Sequence, residues 1–126
     1  MWALLMLLII SGCSPKNLTK QTDHPMVISP KSGAVWMETY SYKIRWKGIE
    51  HGNVCIAILL GGKDKGIIND CKTPAQRGVF IWKIPRGFVS YFGINKEDKA
   101  RVVIFTKTNQ DIEIFSDYFT ISKPSN

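Results

Sequence analysis

Residues 40–48 read Tyr-Ser-Tyr-Lys-Ile-Arg-Trp-Lys-Gly, and this stretch decides the predicted fold. In an extended strand, successive side chains point to opposite faces. Tyr42, Ile44 and Trp46 then share one face, and the opposite face carries three bases, Lys43, Arg45 and Lys47. Burying one Trp removes about 200 Å² from water, which is worth roughly 5 kcal/mol as an upper estimate. We therefore expect a strand here, with its aromatic face pointing inward.

Short apolar or alternating segments separated by turn residues recur along the rest of the chain. The predicted strands cover residues 26–28, 35–37, 40–47, 53–60, 67–71, 78–84, 99–107, 112–115 and 117–122. The clearest turns are Ser29–Gly33 and Gly61–Gly66, and residues 88–98 form the longest irregular stretch. Short strands at this spacing, with almost no helical period, predict an all-β sandwich of about seven strands.

Size and charge limit what the chain can be. Its 126 residues suffice for one domain with a modest core. The net charge is +7, from 17 Lys and Arg against 10 Asp and Glu, and the bases are scattered. A nucleic-acid-binding chain usually shows a block or stripe of bases, so we expect no nucleic-acid partner. The charge would still favour acidic polymers or anionic lipid headgroups through weak, salt-sensitive attraction.

The N-terminus predicts a location. Residues 2–10 are apolar without a break, and Ser11, Gly12 and Cys13 follow directly. This run is too short to cross a bilayer and is typical of a secretory signal. The segment Ile10-Ser11-Gly12-Cys13 resembles the bacterial lipobox, in which the Cys thiol carries the lipid. The alternatives are an ordinary cleaved signal or a buried helix with a chance Cys, and no Lys or Arg precedes the apolar run.

The predicted organisation therefore has four parts. Residues 1–12 are a lipoprotein signal peptide, 13–24 the lipidated Cys and a flexible tether, 25–123 the β-sandwich, and 124–126 a tail. Several acyl chains on Cys13 would give stable attachment to the cell membrane or the outer membrane, facing outside the cytoplasm.

Four ordered motifs carry a resemblance to a known family. They are Ile28-x-Pro30-x-x-Gly33-x-x-Trp36, Tyr42-x-Ile44-x-Trp46-x-Gly48, Trp82-x-x-Pro85 and Ser116-Asp117-x-Phe119-x-Ile121. The set resembles the Ser-Thr-rich glycosyl-phosphatidyl-inositol-anchored membrane family, whose domain is also the N-terminal domain of yeast Kre/Knh-like cell-wall synthesis proteins. The resemblance spans about residues 25–123.

The resemblance implies an immunoglobulin-like sandwich and a place in the cell envelope, since fungal members are linked to β-glucan assembly. It implies no catalytic residue. The core framework is expected to comprise Trp36, Tyr42, Ile44, Trp46, Trp82 and Phe119. Two positions depart from the family pattern. Thr39 replaces a usual Gly, so that turn should take another shape, and Ala100 replaces a usual Tyr, leaving space for an aromatic side chain from residues 88–92.

Two cysteines remain once Cys13 is lipidated. Cys55 and Cys71 flank the predicted hairpin almost symmetrically about Lys63, so a cross-strand disulfide is reasonable in an oxidising compartment. The alternative is two unpaired thiols, one or both buried as small apolar residues.

The sequence contains no clear catalytic or metal-binding set, and we expect no enzyme, no cofactor and no metal. His24 lies in the tether and His51 in a loop, and neither has an Asp or Glu at the spacing of a metal-ligand set. Glu97 and Asp98 are neighbours that would point to opposite sides of an extended chain, so they do not form an acid–base pair.

Two groups of residues are candidate binding surfaces. Phe88, Tyr91 and Phe92, near Arg86, could stack on sugar rings or contact a protein, or could instead fold back to close the sandwich. The row formed by Lys43, Arg45 and Lys47 is a candidate surface for an acidic polymer or an ordinary solvated face, and it would also protect an edge strand from aggregation.

These observations predict a non-catalytic, lipid-anchored domain that binds or organises cell-envelope glycan or a surface protein. The alternatives are a structural spacer subunit of a surface or secretion assembly, and a small polysaccharide hydrolase.

Overall fold

The structure, a computed structural model, describes residues 24–107 and 112–125. This part of the chain forms ten β-strands, and two short 3₁₀ turns lie at Ala75–Arg77 and Ser90–Phe92. The strands are β1 (Met26–Ser29), β2 (Val35–Met37), β3 (Ser41–Lys47), β4 (Asn53–Leu60), β5 (Lys63–Ile67), β6 (Thr73–Pro74), β7 (Val79–Lys83), β8 (Lys96–Thr106), β9 (Glu113–Phe115) and β10 (Phe119–Ser122). No helix in these residues has the length and apolar character needed to cross a bilayer.

The strands form two facing sheets. Sheet one contains β1, β3 and β7 in that order, all antiparallel. Sheet two has the order β2, β10, β8, β4 and β5, with β6 paired to β4 and β9 paired to β8. Within it β2 runs parallel to β10, and the other pairs are antiparallel. The predicted immunoglobulin-like β-sandwich is confirmed. The described residues form ten strands and not about seven, because the very short strands β2, β6 and β9 add to the seven longer ones.

Strand β3 has the alternation that its sequence predicts. Ile44 and Trp46 are buried, while the four residues Ser41, Lys43, Arg45 and Lys47 are exposed. The register places inward residues of β3 beside inward residues of its neighbours, as in the pairs Tyr42–Trp82 and Val27–Trp46. Strand β3 lies between β1 and β7, so it is a central strand. The expectation that its basic row protects an edge is wrong.

The core lies between the sheets and contains the predicted framework. Trp36, Trp46, Trp82, Ile44 and Phe119 are all buried, and Tyr42 packs against them half-buried. The Trp36 ring stacks on Tyr42 at 4.7 Å with an interplanar angle of 4° and meets Phe119 edge-on at 5.0 Å. Tyr42 also accepts a hydrogen bond at its Oη from the backbone N–H of Met37 (2.8 Å), which gives the half-buried phenol a partner.

The β4–β5 hairpin is tighter than the sequence suggests. Its connection is Gly61-Gly62 alone, with φ of +57° and +86°, and Leu60 pairs with Lys63 across the turn. Two consecutive left-handed residues are what a type I′ hairpin turn requires. The returning strand is therefore 63–67, and the predicted strand over 67–71 is wrong because the chain has already turned back by Lys63.

Other boundaries also move. Strand β8 begins at Lys96, three residues earlier than predicted, since its first residues pair with the end of β10. The sequence predicted another shape for the turn at Thr39, because Thr replaces a usual Gly there. Thr39 instead adopts the left-handed conformation that glycine favours, with a φ of +75°. Its N–H donates to the Ile84 carbonyl at 2.7 Å, which ties this turn to the end of β7.

Candidate functional site

A buried carboxylate fixes the loop that follows β7. Glu38, directly after β2, is fully buried, and its two oxygens accept four hydrogen bonds. The donors are the backbone N–H groups of Gly87 (2.9 Å), Val89 (2.8 Å) and Ser90 (2.8 Å) and the Ser90 hydroxyl (2.9 Å). These contacts link residues about fifty positions apart and hold the loop backbone in one arrangement.

The same contacts set the charge of Glu38. Burial alone raises the pKa of this carboxyl, but the hydrogen bonds from Ser90, Gly87 and Val89 outweigh burial and hold the pKa below its ordinary value of 4.5. Glu38 is therefore an ionised structural anchor at neutral pH.

The anchored loop divides its aromatic residues between core and solvent. Phe88 packs edge-on against Trp82 at 5.2 Å and belongs to the core, as does the neighbouring Val89. Tyr91 and Phe92 are 81% and 64% exposed and contact each other edge-on at 5.1 Å. Of the two alternatives for these aromatic residues, folding back applies to Phe88 and exposure applies to Tyr91 and Phe92.

A groove of about 410 Å³ runs between this loop and the β4–β5 hairpin. All five residues of β5 are exposed, so no strand of sheet one covers it, and the loop after β7 lies beside it instead. The lining residues are Leu60, Gly61, Lys63, Lys65, Phe88, Val89, Phe92, Ile94 and Glu97.

The groove is lined by apolar side chains and by three charged ones, Lys63, Lys65 and Glu97. Lys65 places its Nζ 4.9 Å from the centre of the Phe92 ring, a cation–π contact that connects the two sides of the groove. Glu97, whose carboxylate lies near Gly61 of the hairpin turn, accepts a hydrogen bond from the Lys99 backbone N–H at 2.9 Å. The groove can therefore take an apolar group and place an anionic one beside a lysine. Arg86, also expected in this group, is exposed next to Gly87.

The predicted basic row lies elsewhere, on the outer face of sheet one. Lys43, Arg45 and Lys47 are exposed there. The pairing of β3 with β7 adds Lys83 to the same face, opposite Ser41, and places Ile81 beside Lys43. The row and the groove are thus separate surfaces, which the sequence could not decide.

The predicted disulfide between Cys55 and Cys71 is formed, with the two Cα atoms 4.0 Å apart. Its setting differs from the prediction, because Cys71 lies in a turn after β5 and not on a paired strand. At this turn, the side chain of buried Asn69 makes the hydrogen bonds to the backbone of β4 that a paired strand would make. Its Oδ1 accepts from the Ile56 N–H (2.9 Å), and its Nδ2 donates to the Val54 carbonyl (2.9 Å).

A half-buried arginine lies between two aromatic rings on the outer face of sheet two. The Arg101 guanidinium is 4.8 Å from the Phe115 ring and 4.7 Å from the Tyr118 ring, and its Nε donates to the Ser116 carbonyl at 2.8 Å. These contacts join β8 to β9 and to the segment before β10, so we interpret the cluster as a brace for that edge.

Two further expectations concern the histidines and the predicted lipid-bearing cysteine. His24 and His51 are both exposed, and residues 24–107 and 112–125 hold no group of three or more His, Cys, Asp or Glu side chains suited to a metal ion. Cys13 and the signal peptide lie outside the described residues, so lipidation stays a prediction.

Sequence reasoning missed Glu38 and Asn69. A single Glu after a short strand and a single Asn in a turn-rich segment resemble ordinary surface residues. Gly87 has a left-handed φ of +87°, which is a local sign of a tight loop, but nothing local identifies the carboxylate that its N–H and those of Val89 and Ser90 meet.

Comparison with known proteins gives a likeness of fold only. No family model matches the chain, and no curated protein sequence matches it. Among solved structures, the chain is similar to the fibronectin(III)-like modules of Clostridium thermocellum CbhA, at 14% identity and a TM-score of 0.40, over 79% of this chain and 93% of that one. A likeness of this degree carries no argument about ligand or activity.

Proposed function

We propose that this chain is a non-catalytic, lipid-anchored binding domain outside the cytoplasm, which engages a cell-envelope glycan or a surface protein through the groove beside β5. The observation that supports this proposal most directly is a pair of exposed aromatic side chains, Tyr91 and Phe92, on a loop whose backbone is fixed by buried Glu38. Exposed aromatic residues on a fixed backbone lose little entropy on binding and are typical of binding hot spots.

The chemistry of the groove favours a protein segment over a neutral sugar. Leu60, Val89 and Ile94 supply apolar contact, and the side-chain polar groups of the lining are the charged ends of Lys63, Lys65 and Glu97. A sugar presents many hydroxyl groups that each need a hydrogen-bond partner when buried. An apolar side chain next to a carboxylate needs fewer, and the lysines match that carboxylate.

Three features support the proposed location. The sequence 10–13 has lipobox character, and the Cys55–Cys71 disulfide is typical of proteins from oxidising compartments. The resemblance to the Ser-Thr-rich glycosyl-phosphatidyl-inositol-anchored membrane family also favours a role in the cell envelope.

The proposal is tested with the full chain in detergent, on a glycan array, in peptidoglycan co-sedimentation and by cross-linking in intact cells. Wild type is compared with the double variant Tyr91→Ala, Phe92→Ala. Tyr40→Ala is the matched control, since Tyr40 is 53% exposed and is not one of the residues that line the groove. We expect the double variant to lose the ligand and Tyr40→Ala to keep it.

Wild-type protein that binds no envelope glycan and no envelope protein would overturn the proposal. Cross-linking to one stoichiometric partner that survives the double substitution would instead favour a spacer subunit of a larger assembly.

A further inference from the structure

The three strands of sheet one place bases, and no acidic residue, on its outer face. The sequences of β1, β3 and β7 are Met-Val-Ile-Ser, Ser-Tyr-Lys-Ile-Arg-Trp-Lys and Val-Phe-Ile-Trp-Lys, which contain four bases and no Asp or Glu. In most globular surfaces both signs are interspersed. A complete three-stranded sheet without an acidic residue therefore stands apart from the rest of this chain, whose hairpin β4–β5 and strand β8 contain both signs.

The register sets these bases in a line. Lys43 and Arg45 alternate along β3, so their Cα atoms lie about 7 Å apart. Lys83 of β7 pairs with Ser41, which places it diagonally next to Lys43 at about 7–8 Å. Lys43, Arg45 and Lys83 are all exposed. The sequence predicted the bases on β3, but only the strand pairing adds Lys83.

Such a line stores unfavourable electrostatic energy that an anionic partner would relieve. Like charges at neighbouring positions of a sheet repel each other, and the chain as a whole carries a net charge of +7. A flexible anionic polymer that lies along the line would neutralise several bases at once and release its counterions.

Neighbouring side chains distinguish between classes of polymer. Ile81, 61% exposed beside Lys43, and Met26, 45% exposed beside Lys47, offer apolar surface on this face. The carbon-bound hydrogens of a sugar ring can pack on such side chains. Single-stranded nucleic acid instead needs exposed aromatic rings for base stacking, and the aromatic residues of these strands lie on the inward face.

We propose that the outer face of sheet one, defined by Lys43, Arg45, Lys83 and Ile81, is a second binding surface, for a linear anionic polysaccharide. This inference rests on the proposed extracytoplasmic location, but it does not depend on the groove. With a protein segment in the groove and a glycan on this face, the domain would connect two envelope components.

The test measures binding of fluorescein-labelled polygalacturonate to the full chain in neutral detergent by fluorescence anisotropy, as a function of salt. The face variant is Lys43→Gln, Arg45→Gln, Lys83→Gln. The control variant, Lys31→Gln, Lys72→Gln, Lys123→Gln, removes the same charge from exposed positions outside sheet one. Circular dichroism and melting temperature confirm that both variants are folded.

We expect the face variant to bind about tenfold or more weakly than wild type, with a salt dependence of log affinity shallower by about 2 to 3. The control variant should change affinity by about threefold at most. Equal losses in the two variants would show diffuse attraction and overturn the proposal, as would wild-type protein that does not bind the polymer.

Two further arms keep the proposal separate from its alternatives. The double variant Tyr91→Ala, Phe92→Ala should leave polygalacturonate binding unchanged. The proposal for the groove can therefore be refuted without refuting this surface, and this surface can be refuted without refuting the groove. Polyphosphate and a single-stranded DNA oligonucleotide should bind more weakly than polygalacturonate at equal charge, and Ile81→Ser should weaken the polysaccharide alone. DNA binding as tight as that of the polysaccharide, and insensitive to Ile81→Ser, would contradict the assignment.

Discussion

Trp46 combines the two interactions that hold this core together. Its ring is buried, 3% exposed, and its Nε1–H donates to the Ala75 carbonyl at 2.8 Å, so the polar atom of the indole has a partner inside the protein. A single side chain thereby joins β3 to the 3₁₀ turn at 75–77. A small domain has few such contacts, so the loss of one is a large part of its total stability.

Trp46→Ala should lower the free energy of unfolding by about 3–5 kcal/mol, because it removes a large buried ring and leaves a cavity. Urea unfolding measures the change. Tyr40→Ala, which truncates a half-exposed aromatic side chain, should cost much less. A melting temperature for Trp46→Ala equal to that of wild type would show that the indole does not contribute as a buried residue.

Glu38 should make stability depend on acid pH. Its pKa in the folded protein is lowered, since its hydrogen bonds outweigh the effect of burial. A group of this kind contributes stability that is fully present above its pKa in the unfolded chain and is lost as the pH falls through its folded-state pKa. The free energy of unfolding should therefore decrease as the pH is lowered below about 4.5, the ordinary pKa of Glu.

Glu38→Gln isolates this contribution. The amide replaces one accepting oxygen with a donor that faces backbone N–H groups, so stability at pH 7 should fall by about 1–3 kcal/mol. The acid dependence should also become weaker than in wild type. Glu50→Gln, at an exposed position, is the control and should leave both unchanged. Identical acid profiles for wild type and Glu38→Gln would contradict this role.

At the scale of elements, the end of β3 packs against the beginning of β1 with almost no free space. A Cβ added at Gly48 would lie 2.6 Å from the Pro25 Cα and 2.7 Å from the His24 carbonyl oxygen. Gly48 also has a φ of +86°, which side-chain-bearing residues rarely adopt. Two separate requirements, backbone conformation and close approach, therefore meet at one residue.

Gly33 separates these two requirements. It has a φ of +90°, but a Cβ there would contact nothing within 4 Å. Gly33→Ala should therefore cost about 1–2 kcal/mol from backbone strain alone. Gly48→Ala should cost clearly more, since β1 must also move. Thermal and urea unfolding of both variants measure the difference, and equal losses would refute the close approach of β1.

At the scale of the whole molecule, the unequal width of the two sheets creates the candidate site. Sheet one has three strands, while the path of sheet two has five and ends in the exposed strand β5. The loop after β7, anchored by Glu38, lies beside β5 where a fourth strand of sheet one would otherwise be. The groove is thus a property of the architecture and of one buried carboxylate, and not of a local motif.

The proposed anchor also belongs to this scale. Cys13→Ser should release the full chain from the membrane fraction, because the thiol that would carry the lipid is gone. Ser14→Ala, one residue further along, should leave the protein membrane-bound. Fractionation with and without detergent measures both, and mass spectrometry of the wild-type protein reports the lipid on Cys13 directly. Detergent-dependent fractionation of Cys13→Ser would refute lipidation at this residue.

The sequence alone determined which class of fold forms and which face of each main strand points inward. The alternation in 41–47 and 79–83 is a local property, since successive side chains of a strand point to opposite sides wherever the strand lies. Burial of Trp46 and Trp82 follows from that alternation and from the large apolar area of the indole ring, and Trp36 is buried in the same way on the short strand 35–37. The spacing of Cys55 and Cys71 favoured a disulfide over two free thiols, and the bond is formed, although Cys71 lies in a turn and not on the predicted return strand.

Only the tertiary structure decided which residues form the surfaces. The carboxylate of Glu38 meets donors 49–52 positions away, Lys83 joins Lys43 through strand pairing, and Asn69 bonds to backbone groups of β4. Each of these contacts depends on the register between elements distant in sequence. Register depends on how the apolar faces and the turns of both paired strands fit together, so no local pattern at Glu38, Asn69 or Lys83 records it.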